Sequence, residues 1–354
     1  MYIKHWDRWR NNKMYSFRND YSEGAHPNIL ETLLRTNTEQ TLGYGEDAYT
    51  QKAQTLIKQH IGREDVVVHF LVGGTQTNLT AISAFLRPHE AAIAASSGHI
   101  AVHETGAIEA TGHKVITVET EDGKLTVAHI ASVLKAHTDE HMVKPKLVYI
   151  SDSTEVGTIY YKEELQAIYE YCKAHHLLVM IDGARLGSAL MAIDNDVTLN
   201  DLANFSDAFY IGGTKNGALL GEALVIVNDN LKEDFRYHIK QKGGLLAKGR
   251  IISLGYIELF KERLFFDIAQ HANNMAMLLL EGISEAGYST LTKSTTNQVF
   301  PIFPKEVVKK LRENFDFSDW EEVDEQNMAI RLVTSWATPK EAVQEFCMAL
   351  KKIK

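Results

Sequence analysis

Apolar residues along this chain follow two patterns. Short, nearly unbroken runs alternate with longer amphipathic stretches from about residue 48 to 230. The runs are VVVHFLV (66–72), AAIAAS (91–96), VITVE (115–119), LVYIS (147–151), LLVMI (177–181), DAFYI (207–211) and ALVIV (223–227). Continuous apolar runs belong to strands covered on both faces, so the pattern predicts seven strands of a largely parallel sheet flanked by helices. KEELQAIYEYCKAHH (162–176) sets Leu165, Ile168, Tyr169 and Cys172 at helical spacing, as a crossover helix would. Beyond about residue 250 the pattern predicts one long helix from Ile252 to about Ala286, a strand QVFPIF, a helix near 305–314, a strand MAIRLVT and a final helix from Pro339. The expected organisation is an α/β large domain over 26–245 and a smaller α+β domain over 246–354. Residues 14–25 form an N-terminal segment returning to the small domain, and residues 1–13 an extension ahead of a second methionine, Met14.

Composition narrows the function. With 354 residues, 45% hydrophobic and 23% charged, the chain is long enough for about two globular domains. A formal charge of −9 argues against nucleic-acid or anionic-membrane partners and for a small-molecule substrate. The first 13 residues are basic but lack the apolar core of a signal peptide, and no later stretch is apolar enough for a membrane span. Cys172 and Cys347 lack metal-site or CxxC spacing and read as reduced packing residues, which fits a cytoplasmic location.

Three segments carry candidate chemistry. HFLVGGTQTNLTAISAFL joins a strand to a helix through Gly73, Gly74 and Thr75; it is either an anion cradle of free helix N–H groups or a tight turn with Thr75 as N-cap. LLVMIDGARLG ends a buried strand on Asp182, where open parallel sheets meet their ligands, although Arg185 offers the same aspartate a structural ion pair. YIGGTKNGA sets Lys215 just past another strand end, flanked by small residues that leave room for something flat; alone, it also suits a solvated loop lysine. Together they match what pyridoxal phosphate requires. Its phosphate needs helix N–H groups, its pyridine nitrogen a carboxylate, and its aldehyde an amine. The fifteen histidines lack zinc-ligand spacing, and the adjacent His175 and His176 diverge by about 100° on a helix, so no metal is expected.

These segments also carry a family resemblance. GYGEDAYT (43–50), FLVGGTQTN (70–78), SGHIAVHETGA (97–107), STEVGTIY (153–160), IDGAR (181–185), GGTKNGA (212–218), GGLLAKGR (243–250) and IRLVT (330–334) resemble, in order, the low-specificity L-threonine aldolases, grouped with the β-eliminating lyases among fold-type-I pyridoxal-phosphate enzymes. The resemblance implies that fold, a homotetramer of dimers with shared active sites, and cleavage of β-hydroxy-α-amino acids such as threonine or allo-threonine to glycine and an aldehyde. It implies Lys215 as the Schiff-base lysine, Asp182 on the pyridine nitrogen, Gly74 and Thr75 on the phosphate, and His99 stacked on the cofactor ring. Arg185 and Arg331 would grip the substrate carboxylate, and one of Lys242, Lys248 and Arg250 would reach a neighbouring subunit's phosphate. His99, His103, Glu104 and Glu155, or a water they position, are candidate bases. Related outcomes on the same cofactor are β-elimination, racemisation, transamination and cleavage of phenylserine-type substrates, and a catalytically idle regulator is the alternative outside enzymes. The chain departs from the better-known branch at two substrate-facing positions: Glu155 stands in place of a histidine and Asn19 in place of a serine.

Overall fold

The computed structural model describes residues 14–353. The expected extension 1–13 lies outside them. Seven strands form one sheet in the order Val67–Leu71, Glu222–Ile226, Ala208–Gly212, Leu178–Asp182, Lys144–Ser151, Glu90–Ala95, Val115–Val118. Glu222–Ile226 is antiparallel to both neighbours and every other pairing is parallel, so the sheet is mixed but mostly parallel, as the apolar runs predict.

The unbroken runs have a simple cause. Alternate residues of one strand enter two different cores: Val148, Ile150, Val179, Ile181, Phe209 and Ile211 pack on one face, and Leu147, Tyr149, Leu178, Met180, Ala208 and Tyr210 on the other. Helix Lys162–Ala174 covers the first face through Leu165, Ile168 and Cys172.

The C-terminal part differs from the expectation in several places. The long helix is two, Arg250–Phe260 and Leu264–Glu285. Phe260 and Phe265 are both buried, and five residues on a straight helix would turn them about 140° apart. The break at 261–263 lets them stack, with centroids 4.8 Å apart. QVFPIF likewise divides into Gln298–Val299 and Ile302–Pro304 around Pro301, which has no N–H to give a ladder. An unforeseen strand, Ser318–Glu322, pairs antiparallel with the central strand Asn327–Val333.

The start of the described chain joins this smaller sheet region. Tyr15–Ser16 pairs in parallel with Phe315–Asp316, and Phe17 is buried with Phe315, Phe317 and Phe346. Core membership changes along the second long helix: Phe265 and Ile268 belong with the large sheet, Met275 and Leu279 with the small one. Among the described residues, no helix is long and apolar enough to cross a membrane.

Candidate active site

The site lies at the carboxyl edge of the parallel strands. Ser151 and Asp182 are register partners at the ends of adjacent strands, and Gly212 ends the next strand, three residues before Lys215. The loops leaving these strands cross so closely that a Cβ on Gly183 would stand 1.9 Å from the Tyr210 carbonyl oxygen, and one on Gly212 2.4 Å from that of Ala184. This revises the reading of the glycines around Lys215. Gly212 and Gly213 face protein, the latter 2.8 Å from the Tyr256 hydroxyl by the same measure, and they serve loop crossing rather than ligand room. A Cβ on Gly73, by contrast, would meet nothing within 4 Å.

Asp182 is buried beneath a set of donors. Its Oδ2 accepts from Asn78 Nδ2 at 3.1 Å and from the Tyr149 hydroxyl, and its Oδ1 from the Ala184 N–H at 2.9 Å. Burial would raise its pKa, but the nearby His99 charge and the Tyr149 and Tyr210 hydroxyls outweigh that and hold it below 3.8. Arg185 is not its partner. Arg185 instead makes a two-pronged bond to Asp20, Nε to Oδ2 at 2.7 Å and a terminal nitrogen to Oδ1 at 3.1 Å, and Asn297 Nδ2 donates to the same carboxylate at 2.9 Å. One edge of the Arg185 guanidinium is therefore committed before any substrate arrives.

His99 begins a short helix, His99–Val102, and its Nδ1 lies 2.8 Å from Glu104 Oε1, which also accepts from Asn78 at 2.7 Å. Burial disfavours charge on His99, but Glu104 and Asp182 overcome it and raise its pKa. Glu155 Oε1 accepts from the His99 backbone N–H at 2.9 Å and from Ser151 Oγ at 2.7 Å; burial, then Asp182, raise its pKa. His103 is exposed, with its ring 5.6 Å from that of His99. Partial desolvation, followed by His99 and Arg331, lowers its pKa below 6.5. Asn19 spends its side-chain oxygen locally, on the Tyr21 N–H and Ser22 hydroxyl at 3.0 Å each, shaping the turn that carries Asp20.

Lys215 is half-buried, and among the described residues its amine makes no hydrogen bond or ion pair. Burial and then Arg185 lower its pKa, against the pull of Asp20, Asp182 and Glu222. Arg331 extends from the Asn327–Val333 strand over the Trp320 ring, 5.4 Å from its centroid, and its buried Nε has no partner. Burial, then Arg185, lower its pKa, so this guanidinium is short of an anion.

Helix Gly74–Phe85 begins at the sheet edge, where first-turn N–H groups have no intrahelical acceptor. Thr75 is exposed, and Gln76 Nε2 donates to the Lys242 carbonyl at 3.2 Å. Arg250 donates to the Glu39 carbonyl at 2.9 Å and that of Asn37 at 3.4 Å within its own chain, and Lys248 is exposed. Free N–H groups, an ionised Asp182, an unpaired Lys215 and an anion-short Arg331 together fit pyridoxal phosphate carrying an amino acid. Sequence reasoning missed Asn78, Tyr149, Asp20, Asn297, Trp320 and Glu222. Only Glu222, an acid opening an apolar run, left a visible trace.

The chain has relatives in both sequence and fold. Residues 17–305 match the family model of the beta-eliminating lyases. A low-specificity L-threonine aldolase from Pseudomonas aeruginosa is 30% identical over 340 residues, covering 95% of this chain and 97% of that one. A solved threonine aldolase from Leishmania major is 49% identical, with a TM-score of 0.95 over 96% of this chain and 99% of that one. An aspartate aminotransferase from Thermus thermophilus, 16% identical over 98% of this chain and 94% of its own, shares the fold with a TM-score of 0.72. This chain belongs to the beta-eliminating lyase family, among the low-specificity L-threonine aldolases.

Proposed function

We propose that the chain cleaves threonine and related β-hydroxy-α-amino acids to glycine and an aldehyde with pyridoxal phosphate. The observation that carries this is the meeting, at one sheet edge, of an unpaired lysine, an aspartate held ionised and an arginine lacking its anion. The cofactor, when bound, supplies an electron sink for the bond broken at the substrate Cα. Lys215 would hold its aldehyde carbon, Asp182 its ring nitrogen, the Gly74–Thr75 N–H groups its phosphate and His99 its ring face.

The protein's own groups direct the cleavage. Arg331 and the uncommitted edge of Arg185 take the substrate carboxylate, which fixes rotation at Cα and selects the bond to break. His99, held charged by Glu104, keeps its proton. His103, neutral above its lowered pKa and open to the site, accepts the proton of the β-hydroxyl. Glu104 and Glu155 are buried behind His99 and position it.

Purified protein given L-threonine should release acetaldehyde and glycine in equal amounts. Release of 2-oxobutyrate and ammonia instead would overturn the aldolase reading in favour of elimination. Replacing Arg331 with lysine should raise KM for threonine about tenfold to a hundredfold with little change in kcat, as expected for lost two-pronged carboxylate binding. For His103, activity should fall as pH drops through a midpoint below 6.5, because protonation removes the base. In His103→Gln that limb should vanish from the kcat/KM profile, with a loss of about a hundredfold.

Two coarser features belong to the same proposal. Assembly into an oligomer, for which we propose a homotetramer, is supported by the exposed Leu30, Leu34 and Leu42, which a partner would cover, and a cytoplasmic location by the free thiols of Cys172 and Cys347. The division into a large and a small domain is supported by the separate cores, and the change of core along Leu264–Glu285 favours a boundary later than 245.

A further inference from the structure

Glu222 is a buried carboxyl that the reaction above does not use. It opens the Glu222–Ile226 strand with neighbours on both sides, paired with Leu71 and with Gly212. Its Oε2 accepts the Gly213 N–H at 3.1 Å. Gly213 begins the turn that carries Lys215. That turn is closed from the other end by the Gly213 N–H on the Gly221 carbonyl at 3.1 Å and the Gly221 N–H on Thr214 Oγ at 2.9 Å. The Tyr256 hydroxyl donates to the Ile211 carbonyl at 2.6 Å and the Gly221 carbonyl at 3.1 Å, locking the base of the loop.

A backbone cap needs only a neutral acceptor, which serine or glutamine would supply without the cost of burying an acid. We propose that Glu222 is a positioning residue for Lys215, holding the turn through Gly213 and setting the field in which the lysine amine sits without touching it. The groups acting on Glu222 suit this. Lys215 favours its charged form, Asp182 opposes it, Thr214 and Gly213 donate to it, and the Tyr210 and Tyr256 hydroxyls lie in its field. Burial wins and lifts its pKa to about 8, so the charge it presents to the Lys215 turn changes near neutrality, while burial and Arg185 lower the pKa of Lys215.

The inference rests on Lys215 being the carbonyl-capturing amine, and the test separates the two. Full-length chain without cofactor is mixed with pyridoxal phosphate across a pH series, the adduct is fixed with borohydride, and the labelled residue is mapped. A label elsewhere than Lys215 sinks the lysine reading itself. With the label on Lys215, Glu222→Gln keeps an acceptor for Gly213 but loses the charge that favours the ammonium. Its condensation midpoint should then lie about half a pH unit lower, making capture about threefold faster at pH 8. An unchanged midpoint overturns the Glu222 assignment alone. Should Glu222→Gln fail to fold, the infrared band of the protonated carboxyl in the natural chain decides. It should disappear with a midpoint near pH 8, and that midpoint should rise in Lys215→Ala, where a cation favouring the carboxylate is gone; a midpoint unmoved by that substitution overturns the assignment.

Discussion

Lys215→Ala is expected to reduce threonine cleavage by roughly four orders of magnitude, about 5 kcal/mol of barrier, while leaving the fold intact. The amine makes no hydrogen bond or ion pair among the described residues, so its removal strands no partner. Sign matters here. Burial and Arg185 depress the lysine pKa, so at neutral pH the folded site works against a charge that the unfolded chain carries freely. Removing the side chain should leave the melting temperature unchanged or raise it. Pyridoxal phosphate should still bind through Asp182 and the helix N-terminus but dialyse away, and borohydride should fix no label. Cleavage and the visible absorbance of lysine-bound cofactor both persisting in this variant would end the assignment.

The sequence made Lys215 and Asp182 readable for the same reason. Each follows a strand buried on both faces, and such strands announce themselves as unbroken apolar runs whose carboxyl ends are the ligand edge. The strand Ser318–Glu322 had no such signal. SDWEE is an acidic, largely exposed segment whose one large apolar residue, Trp320, packs edge-on against Phe300 at 4.9 Å. The partner of Arg185 was equally hidden. Asp182 is the nearest acid along the chain, yet the bond goes to Asp20, 165 positions away, because Asp182 is already filled by Asn78, Tyr149 and Ala184. Periodicity reports burial and direction. It does not report which of two acids a guanidinium will find once distant loops converge, nor that Gly212 and Gly213 are small because other backbone crosses them.

Asp182→Asn should lower kcat roughly a thousandfold with little change in KM, because an amide cannot keep a proton on the cofactor's ring nitrogen while the carboxylate clamp is untouched. The donors around Asp182 make the substitution costly to the fold as well. Oδ1 and Oδ2 both accept, from Ala184 on one side and from Asn78 and Tyr149 on the other, so either orientation of an asparagine turns its NH2 toward a donor. A stability loss of about 1–3 kcal/mol follows for the stranded hydrogen bonds. Its pH dependence separates this from a general loss of packing. Asp182 has a folded pKa below 3.8, so its contribution is complete above that ordinary value and fades as pH falls through the depressed one. Melting temperatures of the natural and Asp182→Asn chains should therefore differ by a constant amount from pH 5 upward and draw together as pH falls below 3.8. A gap that stays constant into acid would place the cost in shape rather than charge. In His103→Gln, which lacks that histidine's acid limb, residual activity that still fell with a midpoint near 4 would show that the carboxylate is not held ionised by the neighbours the structure gives it.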